Sequence, residues 1–530
     1  MFNPLEIFVN NALWSRIDVF FYLAVLFYIV YVVTVNRKVF YGYISDRRML
    51  YSLLGIMVLA LVVRIYFLDV SIQISDSVWE YVVAGKNFMV EGRLFKCYGP
   101  VFSNCPSPVP VSHPALYGLF VGILFLFTGF SLDAVLYMSI VASVLTLWLL
   151  YQLLQRTVES KFSVFVGLMA LALVPIHAVY SGVFDGGLAV FSVIAGFMVI
   201  LSTFLVSRDP ENFGYWLLLS GSWVFSVSLR WENPLMVFFS VFYLVLNLDS
   251  PVETLKNRVA DKRWSLMILL TFLLMVVPLK GIYTIWIRPD NLDSGFRMAY
   301  VLRNIAGGFR NMVRNFGVVG WSAVVLIPFS LKKSWRRTLP YLFFISAYFF
   351  TYTIFRNGLS LRYVMNLVPP LIMLLALGSD GFLDLFDSKK IVGGLLATVL
   401  SGAMLFSIAG FEGRNRDDDL SSLESVSEEY GDVPVVFPDT NTLLAYMGIT
   451  TNSTGFGFLS LDKAYQNYGL EEVYFVETRR CNIDVFSGLC NTLKEEGKFE
   501  GTFGSWNVSR VRFDEGLRKN ISRSISNSSY

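Results

Sequence analysis

Long apolar runs recur through the first 411 residues of the chain, and they constrain its fold more than any other feature. A bilayer-spanning α-helix needs roughly 17–25 predominantly apolar residues, because the hydrocarbon core is about 30 Å thick. The sequence is 55% hydrophobic and only 16% charged, whereas soluble domains carry about 25% charged residues. We therefore predict a polytopic α-helical membrane protein with about twelve spans. The predicted spans are 17–35, 50–68, 132–154, 162–181, 186–206, 213–231, 233–249, 265–287, 316–331, 338–355, 362–379 and 391–411.

Basic loops orient these spans, because lysine and arginine concentrate in cytoplasmic loops. The loops with this composition are 36–49, 250–264 and 332–337. Counting spans between the first two gives conflicting sides unless the apolar run 115–130 does not cross the membrane. We therefore predict that domain 1–411 has an extracytoplasmic loop, 69–131, that carries juxtamembrane helices. The alternative is that 213–249 forms one span rather than two.

The region 412–530 differs in character from the preceding domain. It begins with charged residues and contains strand-like runs at 433–437 and 472–476. The same span count places it outside the cytoplasm. We predict a small extracytoplasmic α/β domain that ends in a disordered, Ser/Asn-rich tail. The whole chain is expected to be an integral protein of the plasma membrane or the endoplasmic reticulum.

The four cysteines form two close pairs, Cys97 with Cys105 and Cys481 with Cys490. Both pairs fall on the predicted extracytoplasmic side, where an oxidising compartment favours disulfides. Four free thiols are the alternative interpretation.

Ionisable residues collect where the predicted spans end on the extracytoplasmic side, and such residues mark functional sites in membrane proteins. They are Asp76, Glu80, His113, Asp185, Arg230, Glu232, Arg356 and Arg362. Asp76 and Glu80 are four residues apart and share one face if the segment is helical. A carboxylate that loses hydration near the membrane boundary has a raised pKa, which suits a general base.

Each of these residues also has a structural interpretation. Asp185 precedes a predicted span, where aspartate is a good helix N-cap. Arg230 and Glu232 interrupt an apolar stretch and form, on this alternative, an ion pair at a tight turn. Arg362 suits phosphate binding because its planar fork matches phosphate oxygens, but together with Tyr363 it also fits an interfacial anchor.

Other binding classes receive little support from the sequence. No concentrated basic region indicates nucleic-acid binding. The two histidines, His113 and His177, lack the neighbours of a zinc motif, and His177 follows Pro175 within a predicted span, where we interpret it as structural.

Four short motifs resemble the GT-C superfamily of polytopic glycosyltransferases, in particular the branch of protein O-mannosyltransferases and lipid A aminoarabinose transferase. Asp76 resembles an acid that follows an early span, and Asp185 resembles a second acid at the start of a later span. The segment 112–117 (Ser-His-Pro-Ala-Leu-Tyr) resembles the element that closes the first loop, with Ala115 in place of a proline. Arg362-Tyr363 with Pro369-Pro370 resembles the late motif.

The chain also departs from the family pattern. Its first span is additional, and Ser75-Asp76-Ser77 holds one acid where oligosaccharyltransferases use paired acids with a divalent metal. This departure argues against that branch, and it leaves a divalent metal as a possible cofactor and no other cofactor expected.

The resemblance implies a fold and an activity. It implies juxtamembrane helices in the first loop and a polyprenyl or dolichyl phosphate sugar as the donor. The acceptor is a protein, a glycan or a lipid, and the anomeric carbon inverts. Asp76 and Asp185 are then catalytic, with Asp76 as the base. The substrate-binding residues are then Glu80, His113, Arg230, Glu232, Arg356, Arg362 and Tyr363. A carrier or flippase for lipid-linked sugars is the alternative function.

Overall fold

The protein is predominantly helical. A computed structural model describes residues 11–41, 47–69, 76–97, 108–110, 114–182, 186–230, 232–259, 261–286, 298–354, 361–409, 425–426, 429–430, 435–437, 455–457, 472–477, 481, 484–503, 506–512 and 516–517. The helices up to residue 409 are α1 (Asn11–Val35), α2 (Arg37–Tyr41), α3 (Arg47–Tyr66), α4 (Asp76–Glu91), α5 (Leu116–Thr128), α6 (Leu132–Thr157), α7 (Lys161–Leu173), α8 (Pro175–Tyr180), α9 (Gly186–Arg208), α10 (Phe213–Leu229), α11 (Pro234–Asn247), α12 (Pro251–Val259), α13 (Lys262–Trp286), α14 (Met298–Ile354), α15 (Leu361–Val364), α16 (Val368–Leu383) and α17 (Lys389–Ala409).

Seven helical segments in the described part of the chain are long and apolar enough to cross a membrane. They are Asp18–Val35, Arg47–Tyr66, Asp133–Thr157, Gly187–Arg208, Asn315–Tyr352, Met365–Leu383 and Lys389–Ile408. Helices α5, α7, α10 and α11 are also apolar but shorter, with 13 to 17 residues. The prediction of a polytopic α-helical protein is therefore confirmed, whereas the count of about twelve spans is only partly matched.

Local sequence sets where several helices begin. Ser131 Oγ accepts a hydrogen bond from the Ala134 N–H at the start of α6. Ser160 and Asn212 cap α7 and α10 in the same way, through the N–H groups two residues on. These side chains satisfy N–H groups that have no partner within their helix. Helices α8 and α11 instead begin with a proline, whose missing N–H costs nothing at that position.

Helix α14 reverses direction at Ser334, where the backbone is not helical. Ser330 Oγ and Thr338 Oγ1 are 2.8 Å apart, although residues eight apart in one straight helix are separated by about 12 Å. A tight turn at Ser334 therefore separates the last two helical parts of this element, which is also interrupted at Gly317 (φ 50°, ψ −134°). This turn is the basic loop 332–337, and it separates the predicted spans 316–331 and 338–355.

Helices α9 and α16 form the centre of the bundle, since nearly all of their residues are buried. They pack closely, because a Cβ atom at Gly196 of α9 would lie 2.9 Å from the Pro369 side chain of α16. Only 28% and 22% of the residues in the outer spans of α3 and α17 are buried, as expected for surfaces that face lipid.

Helices α4 and α5 pack side by side and run in the same direction. A Cβ atom at Gly118 would lie 3.4 Å from the Tyr81 carbonyl oxygen, and one at Gly122 would lie 3.0 Å from the Gly85 carbonyl oxygen. The 13 residues of α5 extend about 20 Å, which is shorter than the hydrocarbon core of about 30 Å. That the loop 69–131 carries helices along the membrane surface stays a prediction.

One end of the bundle is joined by a charge network around Asp380, near the end of α16. Its carboxylate accepts hydrogen bonds from the N–H groups of Ser160, at 2.8 Å, and Glu159, at 3.2 Å. Lys333, in the basic turn of α14, contacts Asp380 at 2.9 Å and Asp384 at 2.8 Å. The network connects α7, α14 and α16.

The C-terminal region contains a mixed five-stranded sheet in the order β4-β3-β5-β7-β6. Its strands are β3 (Val435–Phe437), β4 (Gly455–Gly457), β5 (Glu472–Glu477), β6 (Gly497–Phe503) and β7 (Trp506–Arg512), with α18 (Asp484–Glu496) before β6; β1 (Phe95–Cys97) and β2 (Pro108–Pro110) pair separately in the first loop. Strands β3, β4 and β5 are parallel, and β7 is antiparallel to both of its neighbours. The expected α/β character is present, while the boundaries of this domain and its tail stay a prediction.

The cysteine pairs differ in what the structure describes. Cys481 and Cys490 form a disulfide with Cα atoms 5.5 Å apart. Cys97 lies in β1, and Cys105 lies outside the described residues.

The close contact between α4 and α5 is testable with an alanine at Gly85. The new Cβ would lie 2.7 Å from Val121 Cγ1 and 2.9 Å from the Gly122 backbone nitrogen, so we expect Gly85→Ala to destabilise the protein by about 1–3 kcal/mol. Thermal unfolding in detergent measures the change. Gly55→Ala is the matched control, because nothing lies within 4 Å of that Cβ position in α3. Equal melting temperatures for both variants would contradict the packing described.

Candidate active site

A buried ion pair lies in the turn between α10 and α11. Arg230 leaves the helix in an extended conformation (φ −147°, ψ 144°), and α11 begins four residues later at Pro234. The Arg230 Nη2 and Glu232 Oε1 atoms are 2.6 Å apart, and the two residues are only 5% and 3% exposed. A charge buried this deeply is costly unless it is paired, so each residue requires the other.

The Glu232 carboxylate supplies the counter-charge that the buried Arg230 guanidinium requires. Glu232 Oε2 is buried and accepts no hydrogen bond from any residue that the structure describes. Buried acceptors are normally hydrogen-bonded, so this oxygen is a candidate acceptor for a donor group of a ligand.

Aromatic rings cover the guanidinium group of Arg230. The Tyr363 ring centroid lies 5.0 Å from Arg230 Cζ, within the range of a cation–π contact. Tyr352 stacks on Tyr363 with centroids 4.6 Å apart, and Tyr348 lies 5.0 Å from Tyr352. The turn after α10 is thereby joined to the end of α14 and to α15.

Two asparagines complete the network. Asn366 Nδ2 donates to the Tyr348 hydroxyl at 3.0 Å and to Asn233 Oδ1 at 3.1 Å. The Tyr348 hydroxyl donates to the Tyr363 carbonyl oxygen at 3.0 Å, and Asn233 Nδ2 donates to the Ser226 carbonyl oxygen at 2.8 Å. Hydrogen bonds of this kind reduce the cost of burying polar groups, and they fix the position of α15 relative to α10 and α11.

A second set of aromatic contacts brings α4 to the same end of the bundle. The rings of Tyr81 in α4 and Tyr117 in α5 lie 5.8 Å apart, and Tyr117 lies 5.6 Å from Phe191 in α9. Phe120 stacks on Phe191 at 5.2 Å and lies 6.4 Å from Phe225, near the end of α10. The starts of α4, α5 and α9 therefore pack near the end of α10, where the ion pair lies.

This architecture is also found in proteins of known structure. No protein-family model and no curated protein matches the sequence. The apo oligosaccharyltransferase of Archaeoglobus fulgidus has a similar structure, with a TM-score of 0.56 at 11% identity over 88% of this chain and 75% of that one. The chain therefore shares its fold with this oligosaccharyltransferase.

Two further solved structures also match the chain. The oligosaccharyltransferase AglB from Archaeoglobus fulgidus, in complex with an inhibitory peptide and a dolichol-phosphate, has a TM-score of 0.53 at 11% identity over 87% of this chain and 74% of that one. ArnT from Cupriavidus metallidurans, bound to undecaprenyl phosphate, has a TM-score of 0.49 at 13% identity over 86% and 97%. The GT-C resemblance inferred from the motifs is confirmed as a fold, while the branch stays a prediction.

The fold brings some of the predicted site residues together. Arg230, Glu232 and Tyr363 are in one network, with Arg362 beside Tyr363 on α15. Asp76 is the first residue of α4 and Glu80 lies one turn later, so their helical spacing agrees with the prediction, and only the backbone of Asp76, Glu80 and Arg362 is described. His113, Asp185 and Arg356 lie outside the described residues.

Sequence reasoning did not select four members of the network. Tyr348 and Tyr352 lie in a predicted span, where aromatic residues are common on any face. Their spacing of four residues just before the end of the apolar run is a signal that one helical face is shared. Asn233 directly precedes Pro234 and Asn366 lies three residues before Pro369, both in largely apolar stretches, and a polar residue close to a proline there is the available signal for a buried amide.

Metal binding has no direct support among the described residues. They contain no group of three or more histidine, cysteine, aspartate or glutamate side chains placed to hold an ion. The divalent metal stays a prediction.

The buried ion pair is testable through Glu232→Gln. This change leaves the Arg230 charge buried without its counter-charge, so we expect a loss of about 3–5 kcal/mol in the free energy of unfolding. Unfolding in mixed micelles measures the effect.

The matched control is Glu211→Gln, because Glu211 also pairs with an arginine, Arg258, but its side chain is 77% exposed. An exposed pair contributes about 0–1 kcal/mol, so this variant should stay close to the wild type. Similar losses in the two variants would show that the Arg230 charge does not depend on Glu232.

Proposed function

We propose that the protein is a membrane glycosyltransferase that moves a sugar from a polyprenyl or dolichyl phosphate to an acceptor. The observation that carries this proposal is the packing of α4, the start of α9, the α10–α11 turn and α15 at one end of the bundle. These segments hold, or directly adjoin, the ionisable residues selected from the sequence. The GT-C fold supports the same activity, since the similar archaeal AglB structure contains a dolichol-phosphate and a peptide.

Asp76 acts as the general base in this proposal. It removes a proton from an acceptor hydroxyl or amide as that group attacks the anomeric carbon. The bond from the acceptor to the anomeric carbon forms while the bond from that carbon to the phosphate oxygen breaks. The lipid phosphate leaves with the bonding electrons, and the configuration inverts.

Arg362 binds the leaving phosphate. Its planar guanidinium group matches phosphate oxygens, and it stabilises the negative charge that grows as the lipid phosphate departs. The Arg230–Glu232 pair holds Tyr363, and through it helix α15, in place. Arg356 and His113 are the further candidates for donor contacts, and Asp185 and Glu80 orient the sugar or the acceptor.

The reaction takes place on the extracytoplasmic side. The end of α16 that carries Asp380 contacts the basic turn 332–337, and basic loops face the cytoplasm. The Arg230 network lies at the other end of α16, about 20 Å away along the helix. The active site and the C-terminal sheet are then extracytoplasmic.

Asp76→Asn tests the proposed base. This variant should abolish sugar transfer while the protein stays folded and inserted, because an amide does not accept the proton. The measurement supplies a polyprenyl-phosphate sugar to purified protein in vesicles and detects free lipid phosphate.

Asp133→Asn is the matched control, since Asp133 is an exposed acid at the start of α6. We expect wild-type turnover from it. Wild-type turnover from Asp76→Asn would exclude Asp76 as the base. Movement of the intact donor across the vesicle membrane, with no release of lipid phosphate, would instead identify a carrier.

A further inference from the structure

Arg64 is a fully buried cation close to the end of the predicted span α3. It forms no ion pair with any carboxylate in the part of the chain that the structure describes. A charged side chain within the membrane is expensive and generally has a functional reason. The proposed reaction does not use Arg64 directly, because the side chain has no exposed surface.

The Arg64 guanidinium has five N–H donors, and five acceptors surround it. Nε donates to Ser143 Oγ, and Nη1 donates to the carbonyl oxygens of Ala60, at 3.0 Å, and Ala172, at 3.1 Å. Nη2 lies 2.9 Å from His177 Nδ1 and 3.5 Å from the Leu171 carbonyl oxygen. Since arginine only donates, His177 Nδ1 is the acceptor and the neutral ring carries its proton on Nε2.

The carbonyl groups that accept from Arg64 are free to do so because a proline breaks the helix. Helix α7 ends at Leu173, Val174 is extended (φ −61°, ψ 119°), and α8 starts at Pro175. In a continuous helix the Leu171 carbonyl would accept from residue 175, but proline has no N–H. Arg64 supplies the missing donors, and it thereby stabilises a break that would otherwise leave carbonyl groups unsatisfied in an apolar environment.

The helix break at Pro175 places the end of α8 beside the end of α3. Helix α8 leads to Gly182, where a Cβ atom would lie 3.1 Å from the Phe67 carbonyl oxygen and 3.4 Å from that of Arg64. The end of α8 therefore packs directly on the end of α3. From these two ends the chain continues to α4, which begins at Asp76, and to α9, which begins after Asp185.

From this arrangement we infer that Arg64 is a positioning residue for sugar transfer: it holds together the ends of α3 and α8, from which the chain leads on to the two acids of the proposed reaction. This role rests on the proposed function. It differs from general stabilisation, because it predicts a loss of turnover that an equally destabilising change elsewhere does not cause.

Arg64→Lys is the test variant, because lysine keeps the charge but has three donors in place of five. The matched control is Arg156→Lys. Arg156 is a partly buried arginine at the far end of α6, and it donates to the carbonyl oxygens of Gln152 and, at 2.8 Å, Val39. Both variants are compared at a temperature at which circular dichroism and gel filtration show them folded.

The first measurement needs no catalysis. Ser181 is fully buried at the end of α8, so a cysteine at this position, Ser181→Cys, reacts slowly with maleimide. Arg64→Lys in the same chain should speed the labelling by about tenfold or more, the equivalent of one lost hydrogen bond to a charged group. Arg156→Lys should not change the rate. An unchanged rate in Arg64→Lys would overturn the proposal.

The second measurement is steady-state sugar transfer. Arg64→Lys should lower kcat about 10-fold to 100-fold, the range for a misplaced catalytic group, while KM for the lipid donor changes less than about threefold. Equal losses of kcat in Arg64→Lys and Arg156→Lys would reduce Arg64 to a structural residue and overturn the proposal. An absence of transfer in the wild type would instead refute the proposed function, and with it the positioning role, whatever the labelling rate.

Discussion

The ion pair of Arg230 and Glu232 is the interaction on which the candidate active site depends. Neither charge is tolerable alone in an apolar bundle, and together they stop the helix and turn the chain. Desolvation of such a pair offsets much of its attraction, so the pair by itself adds little net stability. Its effect is geometric, because the guanidinium group fixes Tyr363 and therefore the short helix α15 that precedes α16.

At two other places in the described bundle, a buried charge likewise requires specific partners. Asp380 is satisfied by two backbone N–H groups and by Lys333, and this network joins the opposite end of the helices. Arg64 is satisfied by carbonyl groups that Pro175 leaves free. In each case one charged side chain connects helices that are far apart in the sequence. Apolar packing between helices and lipid has no such preference for particular neighbours, so these polar contacts give the bundle its specific arrangement.

The sequence predicted those parts of the fold that leave a local signal in it. Apolar runs identified the helical membrane domain, and the basic residues at 332–337 identified the turn within α14, because both signals are local. Strands β3 and β5 lie where the apolar, β-branched runs at 433–437 and 472–476 predicted them. The span count was less accurate, since Pro175 divides the predicted span 162–181 into two shorter helices.

The candidate site was harder to predict for a physical reason. Arg230 and Glu232 stand out as charges in an apolar stretch, and both of their interpretations, function and ion pair, fit a buried pair in a turn. Tyr348 and Tyr352 do not stand out, because a lipid-facing tyrosine and a buried one look alike in a sequence. In the sequence Arg64 likewise fits an interfacial anchor near a span end. Only the position of the α7–α8 break in the structure distinguishes it from such an anchor.

The most direct test of the central claim is an experimental structure of the protein in nanodiscs with a polyprenyl or dolichyl phosphate bound. The account predicts that the phosphate lies between the start of α4 and α15, with Arg362 as a ligand and Asp76 facing the same cavity. Phosphate density at the Asp380 end of the bundle, or Asp76 and Arg362 in separate cavities, would contradict it.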